Sequence, residues 1–336
     1  MSEIINVSDL SKTYGDGTKA VKGISFKVND GQFFGFLGPN GAGKSTTIKI
    51  LTTLLQKTAG SATVAGYNID SQASKIRKVI GVQNQDTVLD DDLTGRENLT
   101  LQGHLQQMHD PELKQRVNEL LKIVDLEEAA DKRAGFYSGG MRKRLDLATT
   151  LIHSPKLLFL DEPTTGLDPQ SRVTIWSYLK QLNDQGITIF MTTQYLDEVD
   201  RLCRQVAILD HGEIVAQGTP TELKQEIGAD AITLGLDTSS VNGDVKDRAK
   251  QVLQRFDGVS DIVDSDVGLT VYAKNGTSRV PEIVRAFDDS GIHLSSIGVS
   301  SPTLDDVFLK HTGRRIRAEE VSTANMPSRF GRRRRR

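Results

Sequence analysis

A chain of 336 residues is long enough for a sizeable core and points to two domains rather than one. With 37% hydrophobic and 26% charged residues and a net charge of −2, it lacks the basic excess needed to hold a nucleic-acid backbone. Its single cysteine, Cys203, excludes an internal disulfide framework or a cysteine-rich zinc site, and it reads as a small buried filler in a reducing compartment. No apolar run approaches the roughly 20 residues that cross a bilayer, and residues 1–5 lack the basic and apolar stretches of a signal peptide. The chain is not expected to form a pore by itself.

Up to about residue 220, short apolar runs alternate with helical spacing, the rhythm of an α/β domain with a largely parallel sheet. Residues 33–37 and 157–160 are apolar runs too short for helices and read as strands buried on both faces. Helical spacing follows each, through Ile48, Leu51 and Leu55 and then Ile175, Leu179 and Leu182. Residues 94–132 look purely helical, and a helical subdomain is expected over about 94–152. A hairpin over 206–216, turning at Asp210-His211-Gly212, closes the first domain, placed at 1–228.

A second, accessory domain is expected at 229–312. Ile232, Leu234 and Leu236 alternate as in a half-buried strand, and Ala249, Val252, Leu253 and Phe256 share a helical face. Strands over 261–264 and 267–273, a helix from Pro281 to about 289 and a strand near 292–299 give a β-α-β-β-α-β order. That order predicts a small α+β, ferredoxin-like domain. Thr303 and Asp306 have the spacing of a capping box before Leu304, Val307 and Phe308. Residues 313–336 form a basic tail; its 332–336 arginine run suits either anionic lipid or a flexible or artificial end.

Three motifs carry chemistry. Gly38-Pro39-Asn40-Gly41-Ala42-Gly43-Lys44-Ser45-Thr46 fits the phosphate-loop pattern between a strand and a helix. Its glycines let backbone N–H groups close around phosphates, Lys44 reaches the β- and γ-phosphates, and the Ser45 hydroxyl holds Mg²⁺. Asp161 and Glu162 end an apolar strand, where open α/β sheets place their ligands. Alone such a pair is as often a solvated turn; beside a phosphate loop, Asp161 reads as a magnesium group and Glu162 as a general base. Ser138-Gly139-Gly140 opens a helix with Met141, Leu145, Ala148 and Ile152 on one face. Alone it is a capped helix start, but its open N–H groups also make an anion site. One chain with one phosphate loop already has its cradle, so this second one makes sense if it closes over a partner's nucleotide.

Taken with Thr165-Gly166-Leu167-Asp168, these motifs in this order make the chain resemble the ABC ATPase family over about residues 4–225. Within it the chain is similar to ATP-binding subunits of daunorubicin-type resistance exporters. Supporting stretches are residues 92–99, 137–148, 192–198 and Leu304-Asp305-Asp306-Val307-Phe308. The resemblance implies that Tyr14 stacks on adenine, that Gln85 (with Gln83 as its near double) reaches Mg²⁺ and senses the transporter, and that Asp168 crosses a dimer interface. Residues 86–96 with the following helices would form the surface gripped by a permease.

Two positions depart from the family pattern. Met141 replaces the usual glutamine of the signature. Gln194 stands where most members have a switch histidine, and a glutamine can donate to the γ-phosphate but cannot carry a proton. Gln194 is therefore expected to position rather than protonate. The resemblance implies an ATP- and Mg²⁺-dependent exporter subunit, a peripheral homodimer or paired cassette on the cytoplasmic face of the membrane. A separate permease would bind the drug, antibiotic or other hydrophobic cargo, and no nucleic acid would be involved. The alternatives are a soluble ABC ATPase acting on nucleic acid or ribosomes, and a regulatory ATP-binding module. The C-terminal domain either strengthens the dimer and permease contacts or serves as a regulatory ligand site.

Overall fold

A computed structural model describes residues 2–85, 88–227, 230–236, 244–265, 268–273, 276–300 and 302–313. The chain opens with antiparallel strands β1 (Glu3–Thr13) and β2 (Lys19–Asn29), then β3 (Phe33–Leu37) and helix α1 (Lys44–Leu51). Next come β4 (Ala59–Val64), β5 (Tyr67–Asn68), α2 (Ala73–Arg77) and β6 (Ile80–Gln83). Three helices follow, α3 (Gly95–Leu105), α4 (Glu112–Ile123) and α5 (Gly139–Thr150), with no strand among the described residues between them. The chain returns to the sheet through β7 (Leu157–Asp161), α6 (Pro169–Asp184), β8 (Thr188–Thr193), α7 (Leu196–Leu202), β9 (Gln205–Asp210) and β10 (Glu213–Gly218).

The central sheet has the order β10-β9-β3-β8-β7-β6, parallel except for the β9–β10 hairpin. The expected turn is present: His211 and Gly212 both have positive φ, 47° and 83°, as a two-residue primed turn requires. Strands β3, β7 and β8 are buried at every residue, because helices cover one face and the β2-β1-β4-β5 sheet covers the other. Five phenylalanines, Phe26, Phe34, Phe36, Phe159 and Phe190, knit the two sheets with ring centroids 5.4–5.9 Å apart. Such pairs add about 0.5–1.5 kcal/mol each beyond area burial, which fixes β3, β7 and β8 as a rigid base for what lies at their ends.

After α8 (Pro220–Ile227) come β11 (Asp230–Leu236), α9 (Asp244–Leu253), β12 (Val259–Ser265), β13 (Gly268–Ala273), α10 (Gly276–Asp289), β14 (Leu294–Ser300) and α11 (Leu304–Thr312). The antiparallel sheet order β12-β13-β11-β14 is that of a ferredoxin-like fold. The capping box on α11 is formed: Asp306 N–H donates to Thr303 Oγ1 at 3.3 Å and Thr303 N–H to Asp306 Oδ2 at 2.8 Å.

Two local expectations change. Strand β11 is buried on both faces rather than half-buried, because Ala231, Tyr272 and Phe308 join the core that holds Leu223 and Ile227 of α8. Helix α10 starts at Gly276, whose N–H donates to Asp230 Oδ2 at 2.7 Å, and it carries Pro281 inside it. Pro281 is the sixth residue of α10, past the first turn, so the helix forgoes one internal N–H bond there and the proline does not mark its boundary. Residues 228–229, where the two domains were expected to meet, and the arginine run at 332–336 lie outside the described residues, as do Asp86 and Thr87.

Candidate functional site

The parallel sheet brings four chain segments to one edge. The phosphate loop follows β3, Asp161 ends β7, Gln194 follows β8 and Gln85 follows β6. These are neighbouring strands pointing the same way, so their carboxyl ends share one rim.

The loop's glycines are there for space. Gly43 has φ of 106°, and a Cβ on it would sit 2.4 Å from Ala20 O; a Cβ on Gly38 would sit 2.4 Å from Leu209 O. The backbone therefore lies flat against β2 and β9 as it enters α1. Lys44 is buried, donating to Gly38 O at 2.7 Å and Pro39 O at 3.1 Å, and lies 3.2 Å from Glu162 Oε1. A cleft of about 400 Å³ is lined by the loop residues Asn40, Gly41 and 43–46 together with Ala20, Gln85 and Glu162. Tyr14, just beyond β1 and 39% exposed, meets the loop through its hydroxyl, 3.2 Å from Thr46 Oγ1.

Glu162 lines this cleft, and Asp161, at the end of β7, meets it through Ser45. Asp161 Oδ1 accepts from Ser45 Oγ at 3.1 Å and from Thr192 Oγ1 at 2.5 Å. Ser45 and Asp161 are thus hard oxygen donors side by side, the class Mg²⁺ prefers. Among the described residues no group of three or more His, Cys, Asp or Glu could form an all-protein cage. The pair fits an ion that keeps its other positions for water and phosphate oxygens. Glu162 takes φ of 49°, and its N–H donates to Thr192 at both O (3.2 Å) and Oγ1 (3.1 Å). Its Oε2 accepts from Thr165 Oγ1 at 3.3 Å, leaving it braced but adjacent to the cleft. Gln194 is buried just past β8, beside Thr193, whose carbonyl accepts from Gly38 N–H at 3.3 Å.

Ser138, Gly139, Gly140 and Asp168 lie elsewhere, at the starts of α5 and α6. Ser138 caps α5, accepting from Met141 N–H at 3.2 Å, with open space around Gly139. A Cβ on Gly140 would meet Ser171 Oγ of α6 at 2.6 Å. None of these three lines the cleft. Asp168 caps α6, and hydrogen bonds from Ser171 hold its carboxyl below the ordinary value. Of the two glutamines, Gln85 is exposed and lines the cleft, whereas Gln83 is buried and donates to Asp146 Oδ2 at 2.8 Å.

Helix α5 also grips the Gln85 segment. Lys143 Nζ donates to Gln85 O at 2.7 Å, and Asp146 accepts from Gln83 and, at 3.4 Å, from Val88 N–H. Burial pushes the Asp146 carboxyl up from its ordinary 3.8, against the bond from Gln83. A carboxyl raised on folding contributes most below its unfolded value, and that contribution is lost as pH rises through the folded value. Asp146→Asn is therefore expected to gain stability relative to the natural chain as pH rises above 3.8. Thermal melts at a series of pH values check this, and a pH-independent difference would contradict it.

Sequence reasoning missed Ala20, which meets the loop through its backbone, and the ties made by Thr192, Lys143 and Asp146. Their partners lie far away in sequence and follow no fixed motif. Only the unusual hydroxyl pair Thr192-Thr193 before Gln194 offered a signal.

Comparisons with known proteins give the family. Residues 21–165 match the ABC transporter family, and residues 218–312 match the C-terminal domain of DrrA1-3-like ATP-binding proteins. The chain is 38% identical over 320 residues to the daunorubicin resistance ATP-binding protein DrrA2 of Streptomyces coeruleorubidus, covering 95% of this chain and 98% of that one. It is 37% identical over 316 residues to the linearmycin resistance ATP-binding protein LnrL of Bacillus subtilis, covering 94% and 100%. Among solved structures, cbiO1 of Clostridium perfringens, part of the ABC transporter complex cbiONQ, aligns with TM-score 0.63 at 32% identity over 68% of this chain and 94% of that one. The cassette MJ0796, a dimer bound to ADP and Pi, aligns with TM-score 0.59 at 28% identity over 64% and 98%. The chain is thus an ATP-binding, ATP-hydrolysing cassette, and it belongs to the ABC transporter ATP-binding proteins with a DrrA-type C-terminal domain.

Proposed function

We propose that this chain is the ATP-hydrolysing subunit of an exporter, driving a separate membrane permease that carries a drug, antibiotic or other hydrophobic compound. The observation that carries the reading is the separation of the two anion sites. The cleft holding Lys44, Ser45 and Glu162 contains none of Ser138, Gly139 and Gly140. The capped start of α5, with exposed Ser138 and Gly139, then finds its phosphate on a second copy, so that two cassettes pair head to tail around two ATP molecules.

Each residue has a place in that arrangement. Tyr14 stacks on the base, and residues 38–46 enclose the phosphates. Ser45, Asp161 and Gln85 would hold Mg²⁺, which supplies charge neutralisation on the phosphate oxygens when bound. Glu162 takes a proton from the water that attacks the γ-phosphorus; the bond to the β–γ bridging oxygen breaks, and ADP and phosphate leave. Gln194 donates a hydrogen bond to the γ-phosphate, and Asp168 meets the partner cassette. Hydrolysis removes the γ-phosphate that joined the copies, and the pair reopens.

For the permease, a second cleft of about 330 Å³ lies between Leu54, Arg77, Val88, Gln102 and His153, next to the Gln85 segment. Two of its lining residues, Leu54 and Val88, are 61% and 80% exposed. Among the described residues no helix is long and apolar enough to cross a membrane, so the cargo path would belong to the partner. Affinity purification of the chain from gently solubilised membranes tests this. A stoichiometric multi-span protein is expected; ribosomes, DNA or no companion would contradict the exporter reading.

Ser138 offers a sharper internal test. Ser138→Ala should cost about 1 kcal/mol of stability through the lost cap, and Ser138→Asp, which also caps, should restore it. Both should lose most ATP turnover, because neither offers a hydroxyl donor to a phosphate and aspartate repels one. Turnover that follows stability in Ser138→Asp would show that Ser138 is only a cap.

A further inference from the structure

Glu198, on α7, has no assigned role, yet it is fully buried and three donors converge on it. Its Oε1 accepts from Trp176 Nε1 at 3.1 Å and from Thr164 Oγ1, and its Oε2 accepts from Thr193 Oγ1 at 2.6 Å. The partners are placed tellingly. Thr164 lies two residues after Glu162, and Thr193 immediately precedes Gln194. The Thr193 hydroxyl also accepts from Tyr195 N–H at 2.9 Å, so the backbone on both sides of Gln194 is fastened through it to one carboxylate. Trp176 anchors the same carboxylate to α6, the helix capped by Asp168.

We infer that Glu198 is a positioning residue for hydrolysis, whose carboxylate locks Gln194 and the loop carrying Glu162 into one register. The inference rests on the roles proposed above for Gln194 and Glu162. A purely structural site would favour an apolar side chain here, since a buried carboxylate is costly even when bonded. Burial does push the Glu198 carboxyl up from its ordinary value, against the bonds from Thr164, Thr193 and Trp176. An acceptor-only group suits the task because it orients three donors at once, two of them hydroxyls that could otherwise rotate. The two segments it joins follow the carboxyl ends of β7 and β8, neighbouring parallel strands of the central sheet.

The test uses the full chain and Glu198→Gln, which keeps the size but turns an NH₂ toward one of the hydroxyls. Turnover per bound ATP is expected to fall on the order of ten- to a hundredfold, with ATP binding stoichiometry and KM little changed. Combined with Gln194→Ala, the second loss should be much smaller than the first, because both changes disable the same group. Should Glu198→Gln fail to fold, Thr193→Val serves in its place, with Thr193→Ser expected to restore turnover by returning the hydroxyl. Turnover like that of the natural chain, or losses that multiply fully with Gln194→Ala, would overturn the inference. If Gln194→Ala alone leaves turnover unchanged, the role of Gln194 and this inference fall together. The effect of Glu162→Gln reports separately on the hydrolytic reading itself.

Discussion

Glu162→Gln is expected to slow ATP hydrolysis by about 10²–10⁴-fold while ATP binding survives. The change keeps the side chain's size and its neighbours but removes the group that takes the proton. The geometry adds a second expectation. In this structure Glu162 lies 3.2 Å from Lys44, with both side chains more than nine-tenths buried. A lysine needed by the phosphates is thus held by the carboxylate that acts next to them. Removing that negative charge frees Lys44 and lessens repulsion of the phosphates, so ATP should bind at least as tightly as in the natural chain. Steady-state hydrolysis with equilibrium binding of a fluorescent ATP analogue separates the two effects. Binding lost in step with hydrolysis would mean that Glu162 holds the loop together rather than acting on water.

Lys44→Ala carries the opposite signature. It removes the donor to Gly38 O and Pro39 O and leaves Glu162 buried without its counter-charge. Losing the charge partner of the bound phosphates costs roughly 2–5 kcal/mol, so ATP binding should weaken well over tenfold and hydrolysis should become negligible. Because the variant strands a carboxylate, its folded state should also melt earlier, and Lys44→Ala combined with Glu162→Gln should recover part of that stability but none of the binding. Calorimetric binding and thermal melts on the three variants check this. A double variant no more stable than Lys44→Ala would show that the pair contributes nothing to the apo fold.

What could be read beforehand follows from how local each feature is. The phosphate loop, the hairpin turn at His211 and Gly212, and the Thr303–Asp306 capping box each rest on residues within a few positions of one another, and each was legible. So was the β-α-β-β-α-β order, since period-two and helical spacing survive without tertiary context. The burial of β11 on both faces was not, because its second face is covered by α8 and α11, whose contact depends on how the chain folds back. Gln83 and Gln85 were chemically identical in the sequence. They separate only because Asp146, 63 residues on, draws Gln83 inward. The Glu198 cluster was invisible for the same reason: its partners are 5, 22 and 34 residues away, in β8, in α6 and in the loop after β7.

The claim on which the rest depends is that one hydrolytic site takes its phosphate loop from one chain and its capped α5 from another. Mixing two disabled chains tests it most directly, one carrying Lys44→Ala and the other Ser138→Asp. Each alone should be nearly inactive at any concentration. Mixed, they should form pairs in which an intact loop faces an intact α5, and ATP hydrolysis should reappear and rise with protein concentration. No recovery in the mixture, with both chains folded and the Ser138→Asp chain still binding ATP, would contradict a site shared between two copies.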